Sequence, residues 1–513
     1  MSTTSNTTRQ KIKDLDELAG ILSGLKNSGS KVVHCHGVFD LLHIGHIRHF
    51  AQAKERGDVL VVSLTEDRYV NKGPGRPAFG QDLRAEAIAA LDSVDFVTVN
   101  RWPQATEAIK LLRPDFYVKG SDYQDASKDN TGGITLEEEA VRSVNGQLVF
   151  TNDITFSSTN LLNRHTEMFP KEVSEYLQNL SSRHPLESIT GYLKSARALK
   201  VLLIGETIVD EYVYCETMGK AGKEPVLATR HLNTETFAGG IIAVSNHVSA
   251  FSDNVNLISY LGAKDSQEAF IRENLNPEID TQFMLMSDAP TITKRRYVEV
   301  YPFQKLFEVY EMDPEGPKAE ETSALCAKLD TMLPEFDAVI VTDYGHGMVT
   351  PQVLEILSAK AKFLAVNTQV NAGNHGFNTA SKYPRADFLC VSETEIRLDA
   401  RSRRQDLRSI VEETAERLSC DQIVITKGPQ GCLCYSRSEG FFEVPAVAIK
   451  VVDRIGAGDA VFSVAALCAA QRAPIEITGF LGGVAGAEAV ATVGHRSSVQ
   501  RVPMLRHVES LLK

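Results

Sequence analysis

The feature that most constrains this chain is an alternation of short, almost wholly apolar runs with helix-patterned segments, and it occurs twice. From Lys31, KVVHCHGVFD reads as a strand, HIGHIRHFAQAKERG as a helix closed by Gly57, and DVLVVSLT as a second strand. A helix over DLRAEAIAALDSV, a strand DFVTV, a helix over ATEAIKLLR and strands DFYVKG and QLVFTND follow. Strands apolar on both faces belong in a parallel sheet covered by helices on each side. The pattern therefore predicts a doubly wound α/β domain over residues 25–167. Residues 1–24 read as a flexible or helical N-terminus whose polar first ten residues fray. The polar, strand-free stretch 168–198 reads as a helical linker. A second α/β pattern covers 199–513, from VLLIGETIVDEY through LISYLG, AVIVTDYG, FLAVNT, FLCVS and IVITKG. YVYCETMG…LATRHLN and ITKRRYVEVYPFQKLFEVYEMD interrupt it, and both suit a small sheet standing off the main one. DASKDNTGGITLEEEAV is polar and glycine-bearing and reads as a solvated loop or a lid.

With 513 residues the chain exceeds a single hydrophobic core, which agrees with two domains. Lys+Arg 54 against Asp+Glu 66 leaves a net charge of −12, so no general basic surface for nucleic acid or anionic membrane is expected. A local cationic pocket for small phosphates is compatible with that balance. No apolar run approaches the roughly 18 residues of a membrane helix. The N-terminal stretch lacks the apolar core of a signal peptide, so a cytoplasmic location is expected. Eight cysteines form no disulfide framework at this length.

GVFDLLHIGHIRHF places His43 and His46 three residues apart at a helix start behind a buried strand. Positions i and i+3 share a face, so both imidazoles can point above a helix N-terminus, where free N–H groups favour phosphate. Gly45 allows close approach, and such donors neutralise charge on a phosphoryl group in transfer. His34 and His36 share a strand face and serve either the floor of a nucleotide pocket or strand-end packing. The segment GVFDLLHIGH resembles the GxFD…HxGH signature of the nucleotidylyltransferase superfamily. NKGPGRP, Arg84, VKGSDY and FSSTNLLNR follow in the order of its cytidylyltransferase-like branch, across residues 31–164. The resemblance implies His43, His46 and Lys72 as catalytic residues. It also implies Gly37, Phe39, Arg84, Ser157, Ser158 and Thr159 as nucleotide- or phosphate-binding. The implied chemistry is in-line attack of a substrate phosphate on the α-phosphorus of ATP or CTP, with Mg²⁺ and release of pyrophosphate.

In the second block, VVDRIGAGDAVFS sets Gly456, Ala457, Gly458 and Asp459 between a strand and a helix. Small residues at a helix start leave N–H groups free as an anion hole, and an Asp there can take a proton from an attacking hydroxyl. A glycine turn with an N-capping Asp is the plainer alternative. DRIGAGDAVFS resembles the C-terminal signature of the ribokinase-like (PfkB) carbohydrate kinases. The resemblance runs through residues 200–513 and implies a ribokinase-like fold with a small β lid. It implies Asp459 as the base, ATP as donor, and Asp210, Gly239, Gly240 and Lys294 as sugar-binding. Lys427 and Gly428 fall on the nucleotide side, and Glu395 falls at the position linked to Mg²⁺. Three positions depart from the family pattern: Ala243, Asn367 and Ser392. They imply a shifted substrate more than a dead kinase.

The pairing resembles the bifunctional heptose kinase/adenylyltransferases of lipopolysaccharide precursor synthesis, with the domain order swapped. It implies a transferase that phosphorylates a sugar and couples NMP to a sugar phosphate, dimerising through the kinase half. The alternatives are a nucleotidylyltransferase whose kinase-like half only binds sugar or dimerises, and a regulatory nucleotide sensor.

Overall fold

The computed structural model describes residues 6–70, 76–120, 133–151, 169–301 and 303–512. They fall into two compact units, one running to Pro170 and including Leu505–Leu511, the other Lys171–Met504.

The first unit is built on five parallel strands: β1 Val32–Gly37, β2 Val59–Thr65, β3 Phe96–Asn100, β4 Phe116–Lys119 and β5 Gln147–Phe150. Their order is β3-β2-β1-β4-β5. Alternation along the strands sends side chains to opposite faces. Val33, Cys35, Leu60, Val62 and Leu64 pack with the helices Ile44–Lys54 and Gln81–Ala89 on one side. Val32, Val59 and Val61 pack with Leu15, Leu18, Leu22 and Leu112 on the other. The expected doubly wound α/β sheet is therefore present.

Two segments add detail to the sequence reading. The N-terminal segment is helical from Asn6, and its second helix, Leu15–Asn27, buries Leu15, Leu18 and Leu22 in the core. Leucines at i, i+3 and i+7 form an apolar stripe, so this helix packs as a layer of the unit. Gly133–Ser143, expected within a loop or lid, is a helix that buries Ile134, Ala140 and Val141.

In the second unit, nine strands form one sheet and four form another. The main sheet holds β6 Lys200–Gly205, β9 Asn254–Gly262, β10 Asp280–Met286, β13 Ala338–Asp343, β14 Leu364–Thr368, β15 Phe388–Ser392, β16 Gln422–Thr426, β17 Cys432–Ser436 and β18 Gly440–Val444. Its order is β10-β9-β6-β13-β14-β15-β16-β17-β18, with only the β16–β17 and β17–β18 pairs antiparallel. The small sheet holds β7 Thr207–Lys220, β8 Leu227–Gly240, β11 Ile292–Glu299 and β12 Gln304–Glu311, in the order β12-β11-β7-β8. These are the two β-rich interruptions seen in the sequence, and they do form a separate sheet.

The expected linker is two helices, Lys171–Arg183 and Leu186–Ser195. It is not a free connector. Arg183 grips the buried Glu476 with two hydrogen bonds of 2.6 Å, and Gln471 donates to the Tyr192 carbonyl at 3.0 Å. These contacts fasten the segment to the second unit.

Candidate active sites

In the first unit the strand order reverses between β1 and β4, and the crevice beyond their carboxyl ends is where open α/β sheets bind ligands. His43 sits there as the N-cap of Ile44–Lys54, with Nδ1 accepting the Gly45 N–H at 3.1 Å. His46 stacks on it with ring centroids 3.8 Å apart. Phe39 meets His46 edge-on at 5.2 Å and Phe50 at 4.9 Å, and it adopts a left-handed backbone with φ 45°. A Cβ on Gly37 would lie 3.0 Å from the Phe39 ring, so the glycine makes room for that turn. His43, His46, Gly37 and Phe39 are thus brought together.

Arg84 is placed differently from the phosphate grip expected of it. Its guanidinium is buried and donates to the carbonyls of Phe79 (3.0 Å), Thr65 (2.9 Å) and Val38, and to Asp67 at 2.5 Å. It braces the chain after β1 and β2. Lys72, Ser157, Ser158 and Thr159 lie outside the described residues.

His34 and His36 both hydrogen-bond the Ser63 hydroxyl, at 2.7 and 2.8 Å. Burial, reinforced by the Lys119 charge, lowers His34 to about 3 and His36 well below its ordinary value. His34 is wholly buried beside the Tyr117 ring, which is packing and not a pocket floor. His49 was not singled out in the sequence, although it continues the i, i+3 series from His43 and His46. It hydrogen-bonds Thr151 at 2.9 Å and is lowered to about 4 by burial, then by Lys119. Lys119, at the end of β4, forms a buried pair with Glu137 at 2.8 Å.

In the second unit β6 is flanked by β9 and β13, and the chain leaves β6 through Glu206 into the small sheet. Glu206 is buried and accepts the N–H groups of Tyr344 and His346, each at 3.0 Å, which fixes the turn after β13. Burial, then the neighbouring Asp343, raises its carboxyl to about 7. The Tyr344 hydroxyl donates to Asp459 at 3.0 Å.

Asp459 lies in the first turn of Ala457–Ala470, and burial raises it to about 6. Gly456 holds φ 82°, and a Cβ there would come within 2.6 Å of the His495 ring. By contrast, a Cβ on Gly458 meets nothing within 4 Å, leaving space beside the helix start. His495 reaches on to Asp210, with Nε2 3.6 Å from Oδ2. Arg296 bonds the other Asp210 oxygen. A Cβ on Gly239 would strike Asp210 at 2.2 Å, and Gly240 takes φ 58°. Lys294 on β11 lies in register opposite Asp210 on β7. Asp210, Gly239, Lys294, Gly456 and Asp459 therefore share one cleft, to which Glu206, Tyr344 and His495 are additions. TDYGHG and the residue after ATVG were visible signals for Tyr344 and His495.

The remaining candidates stand apart or do other work. Lys427 pairs with Glu443 at 2.6 Å, beside Gly428 at φ 59°. Glu395 accepts the N–H groups of Ser392 (2.7 Å) and Val370 (3.1 Å), and Ser392 caps the same helix in return. Both Glu395 oxygens thus serve backbone caps, and no group of three His, Cys, Asp or Glu side chains suited to a metal occurs among the described residues. Each oxygen keeps a lone pair beside its backbone hydrogen bond, and Mg²⁺ retains several waters, so Glu395 would meet the ion through water. Asn367 donates to the Cys390 carbonyl at 2.7 Å. Ala243 is buried in the helix Ile241–Ser249.

Residues 198–501 match the family model for pfkB family carbohydrate kinases, and residues 34–164 match the cytidylyltransferase-like model. The first match covers more than half of the chain, and the protein belongs to the pfkB family. Similar curated proteins include the "Bifunctional protein HldE" of Geobacter sulfurreducens, 37% identical over 165 residues, 32% of each chain. The HldE of Campylobacter jejuni is 28% identical over 305 residues, 58% of this chain and 62% of that protein. The chain thus spans about a third of the first relative's length and under two thirds of the second's. The crystal structure of phosphofructokinase-2 from Escherichia coli in complex with potassium superposes with TM-score 0.51 at 15% identity, covering 61% of this chain and all of that one, which fixes the fold of the second unit.

Proposed function

We propose that the chain is a bifunctional transferase of nucleotide-activated sugar synthesis, made of a sugar kinase and a sugar-phosphate nucleotidylyltransferase. The reading is supported by the stacked His43–His46 pair at a helix start in one unit and the buried Asp459 cleft in the other, two arrangements suited to phosphate chemistry. In the kinase cleft the acceptor hydroxyl loses its proton to Asp459 while its oxygen attacks the γ-phosphorus of ATP, and ADP leaves. A carboxyl near 6 is ionised at neutral pH yet basic enough to take that proton. The N–H groups after Gly456 face the phosphoryl group, and Asp210 orients the sugar. In the first unit an oxygen of the sugar phosphate attacks the α-phosphorus of ATP or CTP. His43 and His46 bind the phosphate oxygens there, and pyrophosphate leaves. Mg²⁺ would accompany the nucleotides and offset the charge of their phosphates.

The need for nucleoside triphosphates supports a cytoplasmic location. The small sheet exposes Met218, Leu227, Leu232, Phe307 and Val309, which supports a homodimer formed through it. Sedimentation that finds only monomer at micromolar concentration removes the dimer.

The test is a screen of the full chain with Mg²⁺, each NTP and a panel of sugars and sugar phosphates, scored for pyrophosphate and ADP. His43→Ala should abolish only pyrophosphate release, and Asp459→Asn only ADP formation. If Asp459→Asn leaves all turnover untouched, the kinase half is no kinase.

A further inference from the structure

Cations crowd the kinase cleft, and almost all are spoken for. Arg296 bridges Asp210 and Glu308, Lys305 pairs with Asp453 at 2.7 Å, and His495 faces Asp210. Lys294 differs. It is 5% exposed, and its ammonium makes no hydrogen bond or ion pair among the described residues. Instead it lies 5.1 Å from the centre of the Tyr310 ring and 6.0 Å from that of Tyr344. Cation–π contacts of this length do not replace the three hydrogen bonds an ammonium forms in water. An ammonium on a side chain only 5% exposed, with no hydrogen-bonded partner and little access to water, is costly, and a fold keeps one where a ligand completes it.

A second observation points the same way. His346 is 8% exposed, and its Nε2 is buried with no hydrogen-bond partner among the described residues. It lies close enough for the Lys294 charge to act on it, and burial first and that charge second lower it to about 3. His346 is thus a neutral imidazole within reach of the Lys294 charge, lining a cavity with Glu206, and Lys294 in turn lies beside the Tyr344 ring. That tyrosine's hydroxyl reaches Asp459.

We propose that Lys294, assisted by His346, is an oxyanion-binding residue of this cleft and receives a phosphoryl group brought in by substrate. The phosphoryl is either the one in transfer from the nucleotide or one already carried by the acceptor. The proposal rests on the kinase reading of the cleft but is read by binding, so the two fail separately. Lysine suits this task as a compact donor charge with three N–H groups.

The experiment maps labelling of Lys294 by an amine-reactive sulfonate in the full chain, by peptide mass spectrometry, with and without inorganic phosphate. Protection of the Lys294 peptide by phosphate is expected, while exposed lysines such as Lys171 are unaffected. Calorimetric titration with phosphate in a His43→Ala background should show binding weakened about tenfold in Lys294→Met and largely kept in Lys294→Arg. That arm decides if burial prevents labelling. A non-hydrolysable ATP analogue that protects alone assigns the γ-phosphoryl. A hexose phosphate that protects without nucleotide assigns the acceptor. Equal phosphate binding by wild type and Lys294→Met overturns the proposal, as does ready labelling of Lys294 that phosphate leaves unchanged. Absence of ADP formation by wild type with intact phosphate protection would instead sink the kinase reading alone.

Discussion

The Tyr344 hydroxyl donates to Oδ1 of Asp459 at 3.0 Å, in a cleft that leaves Asp459 7% exposed. Burial raises the carboxyl from 3.8 to about 6, while this hydrogen bond and the His495 charge pull it down. Only the ionised form is a base, so kinase activity should fall as pH drops through about 6. Tyr344→Phe removes a lowering influence, and the acid limb should move to higher pH. At pH 7 kcat should fall about tenfold and recover partly at pH 8. A pH–rate profile that keeps its acid limb in the variant removes Tyr344 from the base's environment.

The same shift has a sign in stability. The folded chain holds the Asp459 proton more tightly than the unfolded chain, so its contribution is complete below pH 4 and is lost as pH rises through about 6. At pH 7.5 Asp459→Asn should therefore stabilise the second unit, by on the order of 2 kcal/mol, while abolishing ADP formation. Thermal unfolding at pH 4 and 7.5 checks this, and equal shifts at both values would exclude the carboxyl's charge as the cause.

Gly456 and His495 should prove coupled. In Gly456→Ala the new methyl meets the ring at 2.6 Å, and φ 82° costs a further 1 kcal/mol or so. His495→Ala removes the clash but not the backbone strain. The double variant should therefore regain part of the melting temperature lost in Gly456→Ala. Strictly additive losses would show that the ring is not what excludes the side chain.

Arg84→Met separates a brace from a phosphate grip. Leaving the carbonyls of Phe79 and Thr65 and the Asp67 carboxylate without their partner should cost about 2–4 kcal/mol. The first unit should melt earlier, with nucleotide affinity at 10 °C within about twofold of wild type. A large loss of affinity with unchanged melting would restore the grip.

Much of the fold was legible because its signals are local. The apolar runs at Val32–Gly37 and Val59–Thr65 are strands in any context that buries both faces, and GVFDLLHIGH and DRIGAGDAVFS announce their turns by residue type. What escaped is fixed by distant partners. Arg84 reads as a free cation until Val38, Thr65 and Asp67 are seen around it. Glu206 and Tyr344 are 138 positions apart and meet only through the order of β6 and β13. His495 gains meaning from Asp210, on a strand of the other sheet. The stripe Leu15–Leu18–Leu22 was in plain view, but polar neighbours hid it.

Glu395 provides the last separation. Its carboxylate closes a capping box with Ser392 and holds the Val370 N–H, so it stabilises the helix Glu393–Asp399 and the turn after β14. Glu395→Ala should lower stability by about 1 kcal/mol, the usual loss for a helix cap. Because the carboxylate would meet Mg²⁺ only through water, the Mg²⁺ concentration for half-maximal ADP formation should change less than about twofold, against the larger shift expected on losing a direct metal ligand. Titrating Mg²⁺ at fixed ATP in wild type and variant decides between them. A tenfold rise in that concentration with unchanged melting would make the carboxylate a direct ligand of the metal after all.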